Sequence, residues 1–210
     1  ALHSKLLFFL LIISSLMFSQ RKGENLIDEN ISFKYEKTDS PDNRFGVIGS
    51  KGRQAFAAFV EIDDTDRIQK YFHYIKFKSF NFNSKPSVIY LCIYENSDGL
   101  PGKIVDHGKF LINIPPKNTF ITADLSKLKL KVPEDGYFIG FEWILNKENE
   151  LKGNIKTQNP PYTPSIAGFT AAKVNLYSRS ETWRKEPDNI LIAGLDLEIT
   201  YHQDFSEQSN

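Results

Sequence analysis

The 210-residue chain has little of the chemistry on which most metal sites and hydrolases depend. It contains one cysteine, Cys92, so no intrachain disulfide can form, and it has neither a CxxC nor an HExxH motif. Of the four histidines, the three that follow the N-terminal segment, His73, His107 and His202, are single and far apart in sequence. Ser50 lies in VIGSKG, which lacks the glycine two residues before the serine that a nucleophile elbow requires. The sequence therefore predicts no metal, no cofactor and no catalytic site.

An excess of charge of one sign is also missing. The chain has 26 lysine and arginine residues and 26 aspartate and glutamate residues. Removal of residues 1–19 takes away only Lys5, which leaves 25 basic against 26 acidic residues and a net charge of −1. Binding to a phosphate backbone depends on a surplus of lysine and arginine on one face. We therefore expect no nucleic acid among the partners.

The longest apolar run is confined to the N-terminal segment LHSKLLFFLLIISSLMFSQ. His3 and Lys5 precede an apolar block from Leu6 to Phe18, which is the layout of a secretory signal. The block is shorter than the ~20 apolar residues of a membrane-spanning helix. We expect cleavage near Ser19, no stable membrane span afterwards, and a periplasmic, outer-membrane-associated or extracellular protein. The alternative is an uncleaved signal that persists as an anchor.

The rest of the chain lacks a helical period, and a period of two dominates. LKLKVP (128–133) and LDLEITY (195–201) alternate apolar with polar residues, as a sheet with one wet face does. VIYLCIY (88–94) and YFIGFEWIL (137–145) are apolar on both sides and are predicted to be central strands. Turn residues separate these runs at intervals of about 10 to 20 residues. The pattern predicts one all-β domain, a jelly-roll-like antiparallel β-sandwich.

Turn residues and changes in the apolar pattern predict finer details of the fold. In YENSDGLPGKIV we expect Gly99 and Gly102 to supply positive φ and Pro101 to set a turn. YIKFKSFNF changes phase, which predicts a bulge near Ser79. The predicted organisation is a signal peptide at 1–19, a lead-in at 20–44 with an edge strand at 31–35, the sandwich at 45–204 and a frayed tail at 205–210.

A family resemblance covers roughly residues 45–200. PSVIYLCIYENSDGLPGKIV and FITADLSKLKLKVPEDGYFIGFEWIL resemble the β-sandwich region of secreted carboxypeptidase-like regulatory-domain-containing proteins of Bacteroidota-type bacteria. The matching residues include Gly99 to Gly102, Val132 to Tyr137 and Gly140 to Trp143. Trp183 matches a tryptophan that those proteins have in a later hairpin. Those proteins usually carry a small prealbumin-like module ahead of the sandwich, which we do not expect here. The resemblance implies a non-catalytic accessory role and no peptidase activity.

Three residues are candidates for binding a ligand. Glu142 is the one charge in the strand IGFEWIL, so it is either a carboxylate near a lysine or arginine on a partly wet face or a carboxylate that faces a ligand. Trp143 and Trp183 are either core aromatics or platforms on which a sugar ring stacks. The segment EIDDTDR is predicted to be a solvated turn, with a weak calcium site at Asp63, Asp64 and Asp66 as the alternative.

These observations leave three functional hypotheses open. The first is an exported, non-enzymatic β-sandwich that binds an envelope protein or a glycan. The second is a structural or assembly component of the cell envelope without a small ligand. The third is a carbohydrate-active hydrolase whose catalytic carboxylates come from separate strands, with Glu142 as the first candidate.

Overall fold

The computed structural model describes residues 31–38, 46–62, 69–151, 160–188 and 190–203. The predicted signal peptide and the frayed tail lie outside these residues. The strands are β1 (Ser32–Lys37), β2 (Gly46–Gly49), β3 (Ala55–Val60), β4 (Lys70–Asn81), β5 (Ser87–Ser97), β6 (Leu100–Ile114), β7 (Lys117–Asp124), β8 (Tyr137–Trp143), β9 (Tyr162–Phe169), β10 (Leu176–Arg179), β11 (Trp183–Lys185), β12 (Gly194–Leu195) and β13 (Leu197–Gln203). Within the described ranges, no helix has the length and apolar content needed to cross a membrane.

The strands form two antiparallel sheets. One sheet has seven strands in the order β1-β7-β4-β9-β12, with β13 also paired to β4 and β2 to β9. The other has six strands in the order β11-β10-β3-β8-β5-β6. This arrangement confirms the prediction of an antiparallel β-sandwich. Strand β1 lies at the end of the first sheet and overlaps the edge strand predicted at 31–35.

The main core lies between the sheets and explains why the two central strands are so apolar. Alternate residues of β8, including Ile139 and Phe141, are fully buried there together with Ile89 and Leu91 of β5. The facing sheet contributes fully or almost fully buried side chains such as Phe77 of β4. As predicted, β5 and β8 have a hydrogen-bonded neighbour on both sides. Because side chains alternate along a strand, every second residue of β5 and β8 faces the main core and the others face the opposite side of the sheet.

The other side of the six-stranded sheet is also partly covered, because the sheet curls. Cα atoms of its two edge strands, β6 and β11, come within 8 Å of each other. A second, smaller cluster is buried inside the curl and contains Ala57, Cys92, Tyr94 and Phe138. We call this concave side the trough. It accounts for the apolar residues on the second side of β5 and β8.

The turn between β5 and β6 is tighter than predicted. Asp98 and Gly99 both have positive φ, 53° and 81°, as the central residues of a two-residue hairpin turn do. Asn96 Oδ1 accepts a hydrogen bond from the Gly99 N–H at 2.9 Å. Gly102 already lies in β6, and its φ is not positive. The prediction for Gly99 is confirmed, and that for Gly102 is wrong because β6 begins before Pro101.

The bulge in β4 lies at His73 and not at Ser79. Thr200 of β13 faces Tyr74 and Tyr201 faces Phe72, which leaves His73 as the extra residue. Pairing with β7 then runs without a shift to the end of β4. Ser79 is fully buried on the core side, where its hydroxyl donates a hydrogen bond to a backbone carbonyl of β9. The predicted bulge is wrong because a buried serine with a partner needs no change of phase.

The strand predicted at LKLKVP forms only in part. Ser126–Leu128 is a 3₁₀ helix, and Lys129 follows it with a φ of 48°. Leu130 and Val132 are buried as the alternation predicts, and both bond to the backbone of β4. The alternation is therefore real over three residues, and the segment before it turns.

Candidate functional site

Glu142 lies at the centre of the trough and binds three side chains. Its Oε1 accepts hydrogen bonds from Tyr94 Oη at 2.7 Å and from Arg179 Nη2 at 2.6 Å. Its Oε2 accepts one from Lys109 Nζ at 2.9 Å. Arg179 on β10 and Lys109 on β6 each lie two strands from β8, on opposite sides. The curl of the sheet brings both cations within reach of one carboxylate.

The partners of Glu142 keep it ionised. Burial alone raises the pKa of its carboxyl group, but the hydrogen bonds from Tyr94 and Lys109 and the charges of Arg179 and Lys109 outweigh burial, so the pKa is lowered from its ordinary value of 4.5. Burial lowers the pKa of Lys109, but its contacts with Glu142 outweigh this and raise it. At neutral pH the site therefore holds one carboxylate and two cations.

Aromatic rings complete the site. Trp183 of β11 packs edge to face on Tyr94, with ring centroids 5.3 Å apart. The guanidinium carbon of Arg179 lies 5.0 Å from the Trp183 ring centroid, and Lys109 Nζ lies 4.3 Å from that of Tyr90. Each cation thus contacts both the carboxylate and an aromatic ring. We call the accessible part of this cluster the trough site; its residues are Tyr90, Lys109, Glu142, Tyr177, Arg179 and Trp183.

Small residues form the floor under these rings. Ala57, Gly140 and Cys92 face one another across β3, β8 and β5. A Cβ atom on Gly140 would lie 2.7 Å from a backbone oxygen of β3 and 3.0 Å from Tyr94 Cε2, so glycine lets the Tyr94 ring lie flat against the sheet. Burial, the main cause, raises the pKa of the Cys92 thiol to about 12. The thiol is therefore protonated and is not a nucleophile at neutral pH.

Trp143 is not part of the trough site. It follows Glu142 on β8 and therefore points to the opposite side of the sheet, into the main core. It is 5% exposed, and its indole Nε1 donates a hydrogen bond to the Pro164 carbonyl at 2.7 Å. The ring also packs edge to face on Phe56. Of the three candidate residues, the structure brings together Glu142 and Trp183, both bound to Arg179, and separates Trp143 from them.

Other clefts have mixed chemistry. A cleft of about 630 Å³ near the start of β8 is lined by residues of both charges, among them Glu95, Asp106 and Lys131. A pocket of about 370 Å³ lies beside β1, and another of about 360 Å³ contains Arg53 and the buried Glu186. No group of three side chains suited to a metal ion exists among the described residues. The calcium candidates Asp63, Asp64 and Asp66 lie outside those residues, so that site stays a prediction.

The sequence did not single out the partners of Glu142. A nearby lysine or arginine was one of its two interpretations, but Tyr94, Lys109 and Arg179 lie 33 to 48 residues away along the chain. Their proximity depends on how β5, β6 and β10 are ordered around β8. The available signal was the apolar second side of two central strands, which indicates that something covers it.

No protein-family model matches the chain, and neither a curated protein nor a solved structure matches it. The resemblance to secreted carboxypeptidase-like regulatory-domain-containing proteins therefore stays a prediction. The function is inferred from the chemistry of the trough site.

Proposed function

We propose that the protein is an exported, non-catalytic β-sandwich module of the bacterial cell envelope that binds a glycan at the trough site. The observation that supports this most directly is the pairing of Arg179 with both Trp183 and Glu142. An aromatic ring and a fixed set of N–H donors lie side by side on a concave surface. The signal-like N-terminal segment and the family resemblance support a place in the envelope.

The composition of the trough site suits a sugar. A sugar ring presents a C–H face that can stack on an aromatic side chain, and its hydroxyl groups accept hydrogen bonds from cationic donors. Lys109 and Arg179 each have N–H groups beyond the one that binds Glu142. Because Glu142 already holds both cations in place, binding of a ligand would cost little side-chain entropy at Lys109 and Arg179.

The same geometry disfavours Glu142 as a catalytic acid. A glycosidase acid needs a raised pKa and a second carboxyl group nearby. Glu142 has a lowered pKa, and the charged side chains that contact it in the described chain are cations. We therefore expect no glycoside hydrolysis, and Glu142→Gln would leave the result of a broad glycosidase screen unchanged.

A thermal-shift panel tests the binding function. The exported form is heated with soluble glycans and with envelope extracts, and the same panel is run on Trp183→Ala. We expect at least one glycan to raise the melting temperature of the wild type and to leave that of Trp183→Ala unchanged. The compared quantity is the shift caused by ligand, because the substitution itself also lowers stability.

Phe82→Ala is the matched control for the loss of an aromatic ring. Phe82 is 63% exposed and follows β4 of the other sheet. It should keep the full ligand shift. If wild type, Trp183→Ala and Phe82→Ala respond alike to every glycan, the trough site is not the binding site. A flat response of the wild type across the panel would favour the assembly component.

A further inference from the structure

We propose that the bound glycan is an acidic chain that runs from the trough site along β6 into the pocket beside Tyr35. This inference rests on the proposed function and names the class of its ligand. Three observations support it: the positive charge of the trough, a row of exposed side chains on β6 and an unpaired hydroxyl in the pocket wall.

The charge of the trough is positive. Two rows of paired residues cross its centre, one through Glu142 and one through Gly140. The charged members of these rows are Lys109, Arg179, Lys185 and Glu142, three cations against one carboxylate, which gives a net charge of +2. The whole chain has a formal net charge of 0, so this surplus is local. A local surplus of cations favours an anionic ligand.

The edge strand β6 links the trough site to the pocket. Lys109, Leu111 and Asn113 are alternate residues of β6 and therefore point to the same side. Leu111 is 37% exposed, and Asn113 is exposed and also lines the pocket. At ~3.4 Å per residue, Lys109 and Asn113 are about 14 Å apart along the strand. That span calls for a ligand with several sugar units.

The pocket at the end of this track has an apolar wall and one charged residue. Its volume is about 370 Å³. It is lined by Tyr35, Lys37, Pro86, Asn113, Pro115, Pro116 and Thr119. Lys37 is the only ionised group among these, so a carboxylate is the complementary charge. The Tyr35 ring, 41% exposed, and the prolines suit the C–H face of a sugar.

Thr119 gives the pocket an unused hydrogen-bonding group. The residue is 1% exposed, and its Oγ1 has no hydrogen-bond partner within the described part of the chain. A buried polar group without a partner destabilises the fold. A sugar hydroxyl in the pocket would supply the missing partner.

Calorimetric titration with a length series tests the inference. The probes are oligogalacturonates from dimer to hexamer, with cello-oligosaccharides of the same lengths as the neutral comparison. We expect the acidic hexamer to bind at least tenfold more tightly than the neutral hexamer. Affinity for the acidic series should rise with length until the chain reaches the pocket.

Two substitutions locate the end of the chain. Lys37→Gln should weaken binding of the acidic hexamer about tenfold and leave the dimer unchanged. Lys34→Gln is its control, since Lys34 lies on the other side of β1 and pairs with Glu36. Thr119→Val replaces the hydroxyl with a methyl group of similar size, so it should weaken hexamer binding about fivefold while the melting temperature stays the same or rises.

The outcomes separate the two proposals. If acidic and neutral hexamers bind equally well, the ligand is not specifically an acidic glycan, and the proposed glycan-binding function stands. If Lys37→Gln and Thr119→Val both bind the hexamer as tightly as the wild type does, the bound chain does not reach the pocket. If neither series binds, this inference fails, and the wider glycan panel with Trp183→Ala decides the proposed function separately.

Discussion

Replacement of Glu142 by glutamine tests the network that closes the curl of the six-stranded sheet. Glutamine keeps the shape but removes the charge, and its amide group presents a donor to Lys109 or Arg179. Three hydrogen bonds to a carboxylate would each be worth about 1.5–3 kcal/mol if fully buried. The side chains of Arg179 and Lys109 are 30% and 41% exposed, however, so water replaces part of what is lost. We expect a net loss of about 2 kcal/mol.

The assay is equilibrium unfolding in urea, followed by circular dichroism, with thermal unfolding as a second measurement. A loss of about 2 kcal/mol corresponds to a melting temperature lower by roughly 4–8 °C in a domain of this size. Glu36→Gln is the control, because the Glu36 pair with Lys34 lies on the exposed strand β1, and we expect no measurable change. A double-mutant cycle with Arg179→Met should give a coupling energy above about 1 kcal/mol.

The dependence on pH has a defined sign. Because the folded-state pKa of Glu142 is lowered, the unfolded chain binds more protons between that pKa and 4.5. The contribution of Glu142 to stability is therefore complete above pH 4.5 and is lost as the pH falls through the folded-state pKa. In this pH range, the stability of Glu142→Gln should therefore change less with pH than that of the wild type. If the variant is as stable as the wild type within about 0.5 kcal/mol, the network does not hold the curl.

Three further predictions concern buried residues of the central strands β5 and β8. Gly140→Ala should destabilise the fold by about 1–3 kcal/mol in urea unfolding, because its Cβ would lie 2.7 Å from the Phe56 carbonyl oxygen; an unchanged midpoint would contradict the close approach. Trp143→Phe should cost about 1–3 kcal/mol, since the Pro164 carbonyl loses its buried donor, and a neutral effect would show that water replaces it. Cys92, with a pKa of about 12, should not react with a thiol reagent in the native protein and should react fully in denaturant.

Local pattern was sufficient for the fold class. The two-sided apolar runs in VIYLCIY and YFIGFEWIL depend only on neighbours in sequence, and they formed the central strands β5 and β8, with β8 ending at Trp143. LDLEITY was predicted as one strand, but the structure divides it at Asp196 between β12, which pairs with β9, and β13, which pairs with β4. The errors at Ser79 and at LKLKVP have a common origin. In both places the chain bonds to a strand distant in sequence: the Ser79 hydroxyl to β9, and the backbone of Leu130 and Val132 to β4, so the local rule gave the wrong phase or length.

The site could be predicted only in part. The sequence marked Glu142 as a carboxylate that either has a lysine or arginine nearby or faces a ligand, and Trp183 as one of two aromatic candidates. It did not identify Arg179 or Lys109, because these residues come close to Glu142 only through the order of five strands and the curl of the sheet. Gly140 in mid-strand was a readable sign of close approach, since glycine inside a strand often marks a place where another group contacts the backbone.

The two tryptophans offer the most direct test of glycan binding in the trough. The chain contains only Trp143 and Trp183, so a ¹H–¹⁵N spectrum has two indole signals, one from the core and one from the trough site. On titration with a glycan that raises the melting temperature, the Trp183 signal should move to saturation while the Trp143 signal stays in place. A Trp183 signal that does not move when the glycan is saturating would contradict the account.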